Sequence, residues 1–186
     1  MGKLIVMQFV SLDGVIEDPD GSGGTPQGGW AFRHGPEAVA GDKFALGPVL
    51  DTGLMLLGRR TWQLFSRIWP SRTDEFSQRM NAIPKLVASR SLTDAGAWAN
   101  STLLRGDLAE EVAERKRSQD VVVTGSAGVV DALAAHDLID EYRLMVFPVV
   151  LGQGRRLFDR PERLTLVSAE RVGQAVRLVY GRDTTA

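Results

Sequence analysis

The sequence predicts an α/β fold: a mixed, mostly parallel central sheet flanked by helices, with a C-terminal antiparallel hairpin. Three observations carry this. Short β-branched runs such as VVVT at 121–124 alternate with segments of helical period. Two of those runs pass through glycine into a helix start, as in LLGRRTW at 56–62 and VVVTGSAGVV at 121–130. Residues 164–170 and 175–180 flank Val172, Gly173 and Gln174, the pattern of a hairpin.

The elements follow in chain order. Residues 3–10 are apolar and β-branched, a strand. Residues 17–35 are rich in Gly, Pro and Asp and hold Trp30 and Phe32. They read as a long loop, and loops of that length are usually functional or disordered. Residues 36–46 read as a helix, broken near Gly47 because Pro48 cannot sit inside one without a kink. A short turn at 48–51 follows. Residues 53–57 form a buried-type strand ending in Gly58, and 61–68 a short helix. Strands follow at 84–88 and 101–104. Asp107 is a good N-cap for a helix running to about Lys116. Residues 121–124 are a strand, and Val130, Leu133, Ala134 and Leu138 mark the stripe of the next helix. Residues 141–149 are a strand, and the hairpin ends the fold. No repeat or linker separates two cores, so one domain over 1–186 is expected.

Composition excludes several classes. Net charge is −1, so no global field favours nucleic acid or an anionic membrane. There are no cysteines. Disulfides, thiolate catalysis and cysteine-ligated zinc are therefore excluded, which suits a reducing cytoplasm. The N-terminal run MGKLIVMQFVSLDG is too short for a signal peptide or a membrane span. No histidine or carboxylate spacing suggests a metal.

Three glycine- or serine-marked strand ends could hold an anion. In LLGRRTW, Gly58 allows close backbone approach, and a helix start favours negative charge. Arg59, Arg60 and Thr61 add guanidinium groups and a hydroxyl there. The alternative is a surface helix with two solvated arginines. In VASRSL at 87–92, Ser89 and Ser91 flank Arg90, either a phosphomonoester pocket or a polar loop. The turn TGSAGVV at 124–130 resembles a dinucleotide turn without the full G-x-G-x-x-G spacing. Close helix–strand packing would explain it equally. Three such ends in one sheet are more informative, because ligands of open α/β sheets bind beyond the carboxyl ends of strands.

Five stretches in chain order carry a resemblance: SLDGVI at 11–16, LLGRRTW at 56–62, KLVASRSL at 85–92, VVVTGSAGVVDAL at 121–133 and VFPVVLGQGRRLF at 146–158. They resemble the dihydrofolate-reductase-like superfamily, and within it the reductase domain of bacterial riboflavin biosynthesis and its stand-alone relatives. The resemblance implies NADPH as hydride donor and a pterin-like or ribosylaminopyrimidine substrate. It implies that Gly58, Arg59, Arg60 and Thr61 hold phosphates, and that Ser89 and Arg90 contact the adenosine 2′-phosphate. Gly125, Ser126, Ala127, Gly128 and Val129 would wrap the pyrophosphate and ribose. A β-carbon on Gly125 would then point into the pyrophosphate space. The zinc deaminase domain of the bifunctional enzyme has no counterpart in a chain without cysteine. Riboflavin-type relatives tend to pair, and MVFPVVL at 145–151 is more apolar than one sheet face requires, so a homodimer is expected.

Two carboxylates are candidates for catalysis. On a helix over 36–46, Val39, Asp42 and Leu46 would share one stripe, aiming Asp42 inward, where burial would raise its pKa. The alternative is a solvated Asp42 at the stripe's edge. Asp13, after the first strand, is the other candidate, or else a turn residue before Gly14. His136 near a helix C-terminus has a bland explanation, and His34 has no assignment. The expected activity is reduction of a small heterocycle. The alternative is a nucleotide-binding or interaction protein with a reductase fold and no turnover.

Overall fold

The computed structural model describes residues 1–183. Its strands are β1 (Leu4–Ser11), β2 (Leu54–Gly58), β3 (Lys85–Ala88), β4 (Ser101–Leu103), β5 (Val121–Thr124), β6 (Glu141–Phe147), β7 (Leu164–Val172) and β8 (Ala175–Arg182). Its helices are α1 (Val49–Thr52), α2 (Arg59–Ile68), α3 (Glu75–Ala82), α4 (Leu108–Lys116) and α5 (Ala127–Ala135). Among the described residues the strands form one mixed, mostly parallel sheet in the order β4-β3-β2-β5-β1-β6-β8-β7. No helix of the described residues is long and apolar enough to cross a membrane. Two compact units are distinguished, Met1–Val6 with Leu46–Asp140 and Met7–Ala45 with Glu141–Ala186.

In the first unit β2 lies between β3 and β5, parallel to both, and β4 continues parallel to β3. A parallel strand covered on both faces has no polar alternation. That is why LMLL and VVV read as unbroken runs: Met55, Leu56, Leu57, Val121, Val122 and Val123 are fully buried. α4 begins at Asp107, as expected, with the carboxylate accepting the Ala109 and Glu110 N–H groups at 2.9 and 3.1 Å. α3 was not legible from apolar periodicity, because its buried positions are only Ser77 and Met80. Its signal was the cap: Asp74 accepts the Ser77 N–H at 3.0 Å.

One charge lies in this core. The Lys85 ammonium donates to the carbonyls of Asn81, Ile83 and Ala99 at 2.9, 2.7 and 3.2 Å. It also sits 4.4 Å from the centre of the Trp98 ring. Carbonyl dipoles and a ring face stand in for hydration, which makes the burial tolerable. Burial still pushes the Lys85 pKa down to about 8.

In the second unit β8 pairs antiparallel with β6 and β7. The hairpin is longer than the sequence pattern indicates, reaching Val172 and Arg182. The loop over 17–35 is ordered by its own contacts. Asp18, left-handed at φ 50, gathers the chain around itself. Its carboxylate accepts the Gly23 and Thr25 N–H groups at 2.6 and 2.9 Å, and its carbonyl accepts Gly21 and Gly29 at 3.2 and 2.9 Å. A β-carbon on Gly28 would lie 2.2 Å from the Asp18 carboxylate, so glycine there lets the chain close around it. Trp30 ends the loop in the core, 1 % exposed, donating from its indole to the Glu17 carbonyl at 2.8 Å.

The helix expected over 36–46 is absent; the segment is a series of turns. Gly41 at φ 62 and Ala45 at φ 48 are left-handed, and no right-handed helix passes through such residues. Burial of Ala38 and Phe44 is achieved by turns instead, so helical spacing was the wrong template. The stripe argument that aimed Asp42 inward falls with the helix.

Candidate cofactor site and active-site carboxylates

The carboxyl ends of β5, β2 and β3 are neighbours in the first unit. After β5 the chain turns through two consecutive left-handed residues, Gly125 at φ 68 and Ser126 at φ 63. Serine pays a steric penalty in that region that glycine does not. A left-handed residue leading into a right-handed helix turns successive N–H groups to one side, an anion-binding concavity. The N–H groups of Ser126, Ala127 and Gly128 have no partner among the described residues. Val129 differs: its N–H donates to the Ser126 carbonyl at 2.8 Å and its side chain is buried. Val129 thus has no free N–H to offer at the turn and packs its side chain into the core.

The glycines divide their roles in a way spacing did not reveal. A β-carbon on Gly125 would meet Thr61 Oγ1 at 2.8 Å, not an open anion space. A β-carbon on Gly128 would meet nothing within 4 Å. Gly125 therefore serves the turn, and Gly128 keeps the space open. Gly58 is extended at φ −78, and a β-carbon on it would lie 1.9 Å from Ser126 Oγ. Thr61 Oγ1 lies 3.2 Å from the same hydroxyl, so the turns after β2 and β5 interlock. This contact joins residues 65 apart in sequence, and no local motif announces it.

The helix starts reinforce the pattern. α3 and α4 are capped by their own aspartates, whereas α2 and α5 have no side-chain cap. Uncapped starts leave N–H groups and the positive end of the dipole for a ligand. Arg59, Arg60 and Arg90 are exposed at these ends and form no ion pair among the described residues. Ser89 Oγ accepts the Ser91 and Leu92 N–H groups at 3.2 and 3.0 Å, which leaves its proton free to donate.

The carboxylates lie in the second unit. Asp13 accepts the Ser11 hydroxyl at 2.7 Å and the N–H groups of Leu151 and Gly152 at 3.2 and 2.8 Å. The Ser11 hydroxyl first, and then the Gly152 N–H, hold its pKa at about 2. Such a group is an acceptor that clasps the 151–152 loop, and it has no proton to give near neutrality. Asp42 is half-buried in the turns, and its carbonyl accepts the Ala45 N–H at 2.9 Å. Beside it, Lys43 lies 5.3 Å from the centre of the Phe9 ring and 5.6 Å from that of Phe44. His34 packs 5.9 Å from Phe147, a core contact. Among the described residues no three His, Asp or Glu side chains group as metal ligands.

Comparison with known proteins identifies the family and the fold. The RibD C-terminal domain family matches residues 2–178. The chain is 27% identical to the uncharacterized protein YyaP of Bacillus subtilis over 172 residues, 88% of this chain and 85% of that one. It is 28% identical to the uncharacterized protein YwjB of the same organism, over 97% and 98% of the two chains. A Shewanella sp. PV-4 protein assigned by name to riboflavin biosynthesis shares the fold, with TM-score 0.73, 21% identity and 97% and 99% coverage. Acinetobacter baumannii RibD superposes with TM-score 0.62 at 18% identity, covering 99% of this chain and 59% of its own. The fold is thus dihydrofolate-reductase-like, and the chain belongs to the RibD C-terminal domain family of reductase domains.

Proposed function

We propose that the chain is an NADPH-dependent reductase that delivers hydride to a small heterocycle, pterin-like or a ribosylaminopyrimidine. The observation that carries this is the set of unpartnered donors at Ser126–Gly128, beside the exposed arginines that follow β2 and β3. When bound, the nicotinamide supplies the hydride. The chain's part is to hold the pyrophosphate on the bare N–H groups and Thr61, and the 2′-phosphate on Ser89 and Arg90. No proton transfer is assigned to Asp13. Wild type should bind NADPH roughly ten- to a hundredfold more tightly than NADH, the worth of one charge-assisted hydrogen bond. In Arg90→Ala that preference should shrink. Fluorescence titration showing equal affinities in wild type would sink the assignment. Loss of NADPH absorbance with a panel of pterins and aminouracils separates a reductase from a nucleotide-binding protein without turnover.

We also propose that the chain works as a homodimer in the cytoplasm. The stretch at 145–151 supports this less than expected, since Met145 and Phe147 are fully buried. Exposed apolar surface lies at Val150, 66 % exposed, and on the edge strand β7, where Leu166 and Val167 are 54 % and 64 % exposed. Open edges of that kind favour pairing. Sedimentation equilibrium at micromolar concentration should give twice the 20.3 kDa chain mass; a purely monomeric distribution refutes the dimer.

A further inference from the structure

β1 and β6 are neighbours in the sheet and end together in the second unit. Just past both strands, the Leu12 N–H donates to the Val149 carbonyl at 2.8 Å. On one face of this pair the rings of Phe9 and Phe147 meet edge to face, with centroids 5.2 Å apart. Two residues earlier on the same strands, Met7 and Met145 are buried. Phe9 is only half-buried. The cover over this face therefore opens toward the carboxyl ends, where ligands of open α/β sheets bind.

His34 borders that opening. It ends the 3-10 turn Trp30–His34, which is anchored by the buried Trp30 ring, 5.6 Å from Phe147. The imidazole packs 5.9 Å from the same Phe147 ring and is half-buried. Its nitrogens have no hydrogen-bond partner among the described residues. On the other side, Phe44 stacks on Phe9 at 5.7 Å, and the Lys43 ammonium stands 5.3 Å from the Phe9 centroid. By contrast, Asp13, Asp18 and Glu141 of this unit are each held by donors of the protein.

Small-molecule sites combine aromatic lining with a few polar groups that fix orientation. A half-covered ring offers stacking to a flat ligand, and an imidazole can donate to the ligand's edge or accept from it. Resting on the reductase reading above, we infer that Phe9 and His34 seat the substrate's heterocycle: a flat oxopyrimidine or pterin ring lies against Phe9, and its edge hydrogen-bonds to the His34 imidazole. His34 is thereby a substrate-binding residue, and its packing on Phe147 fixes the direction in which it points.

Calorimetric titration of pterin and 5,6-diaminouracil into wild type, His34→Phe, His34→Gln and Phe9→Leu tests this. His34→Phe keeps a ring against Phe147 and should weaken both probes roughly three- to tenfold, the worth of one neutral hydrogen bond. His34→Gln should recover part of the loss, since its amide also donates and accepts. Phe9→Leu should weaken both probes by a similar factor. A second readout needs no turnover. The chain has two histidines, so His136→Gln leaves His34 as the single target of diethyl pyrocarbonate, which acylates free imidazole nitrogens. Bound pterin should slow that acylation in proportion to its occupancy. Full affinity in His34→Phe or Phe9→Leu, or acylation that pterin leaves unchanged, overturns the seat while the reductase reading stands. A wild type that binds neither probe, with or without NADPH, overturns both the seat and the substrate class of that reading.

Discussion

Gly128→Leu is expected to fold as well as wild type and to lose NADPH affinity by roughly a hundredfold or more, about 2.8 kcal/mol. Nothing lies within 4 Å of a β-carbon at this position, and the backbone is right-handed, so leucine enters without collision. Leucine also prefers a helix over glycine by up to ~1 kcal/mol, so the ligand-free protein should melt no earlier. Its side chain would fill the space above the bare N–H groups of Ser126, Ala127 and Gly128. Gly125→Val is the matched control and should behave in the opposite way. There φ is +68 and Thr61 Oγ1 would stand 2.8 Å from the β-carbon. The strain should cost about 1–3 kcal/mol of stability before any ligand is added, with Gly125→Asn milder. Thermal unfolding followed by NADPH titration reads both effects. A Gly128→Leu variant that binds NADPH normally would show that the open space serves something else.

Gly58→Ala should destabilise the protein by about 1–3 kcal/mol, and Ser126→Gly should restore most of that loss. At φ −78 and ψ 163 any residue fits the backbone of Gly58, so the cost is purely collision. The added methyl would lie 1.9 Å from Ser126 Oγ and 2.3 Å from Ser126 Cβ. A hydroxyl can rotate away, but the β-carbon is fixed to a strained backbone. Removing the serine side chain clears both atoms and relieves its left-handed strain, leaving Val129 as the nearest remaining neighbour at 3.3 Å. Denaturant unfolding of the four proteins of this cycle should give a coupling of about 1–3 kcal/mol. Simple additivity would mean that the two turns do not meet.

Much of this was visible in the residues. Parallel strands buried on both faces announce themselves, and β5 was located to the residue. Asp107 marked α4 by capping chemistry alone. The segment at 36–46 misled because Val39, Asp42 and Leu46 fall at helical spacing, while Gly41 and Ala45 turn the chain the other way and burial falls on Ala38, Phe44 and Leu46. The site was legible where it is local. Arg59, Arg60, Ser89 and Arg90 stand at the strand ends where chain order put them. What spacing could not show was which glycine stands beside open space and which faces Thr61, because that depends on a contact between distant turns. Asp13 was legible as a position but not as a chemistry: the donors that hold it ionised include N–H groups from far along the chain.

The clasp at Asp18 has a consequence for motion. Burial works to raise its pKa, but the N–H groups of Thr25 and Gly23 and the Thr25 hydroxyl win, and the carboxyl stays below the ordinary aspartate range. One residue thus holds the amides of Gly21, Gly23, Thr25 and Gly29 at once, two through its carbonyl and two through its carboxylate. The long glycine-rich segment is divided into short closed rings, each with little entropy to recover on opening. Its amides are therefore tied to a single event. Hydrogen exchange should find them protected as one cooperative unit, released together when Asp18 lets go; amides that exchange at independent rates would show that the segment frays residue by residue.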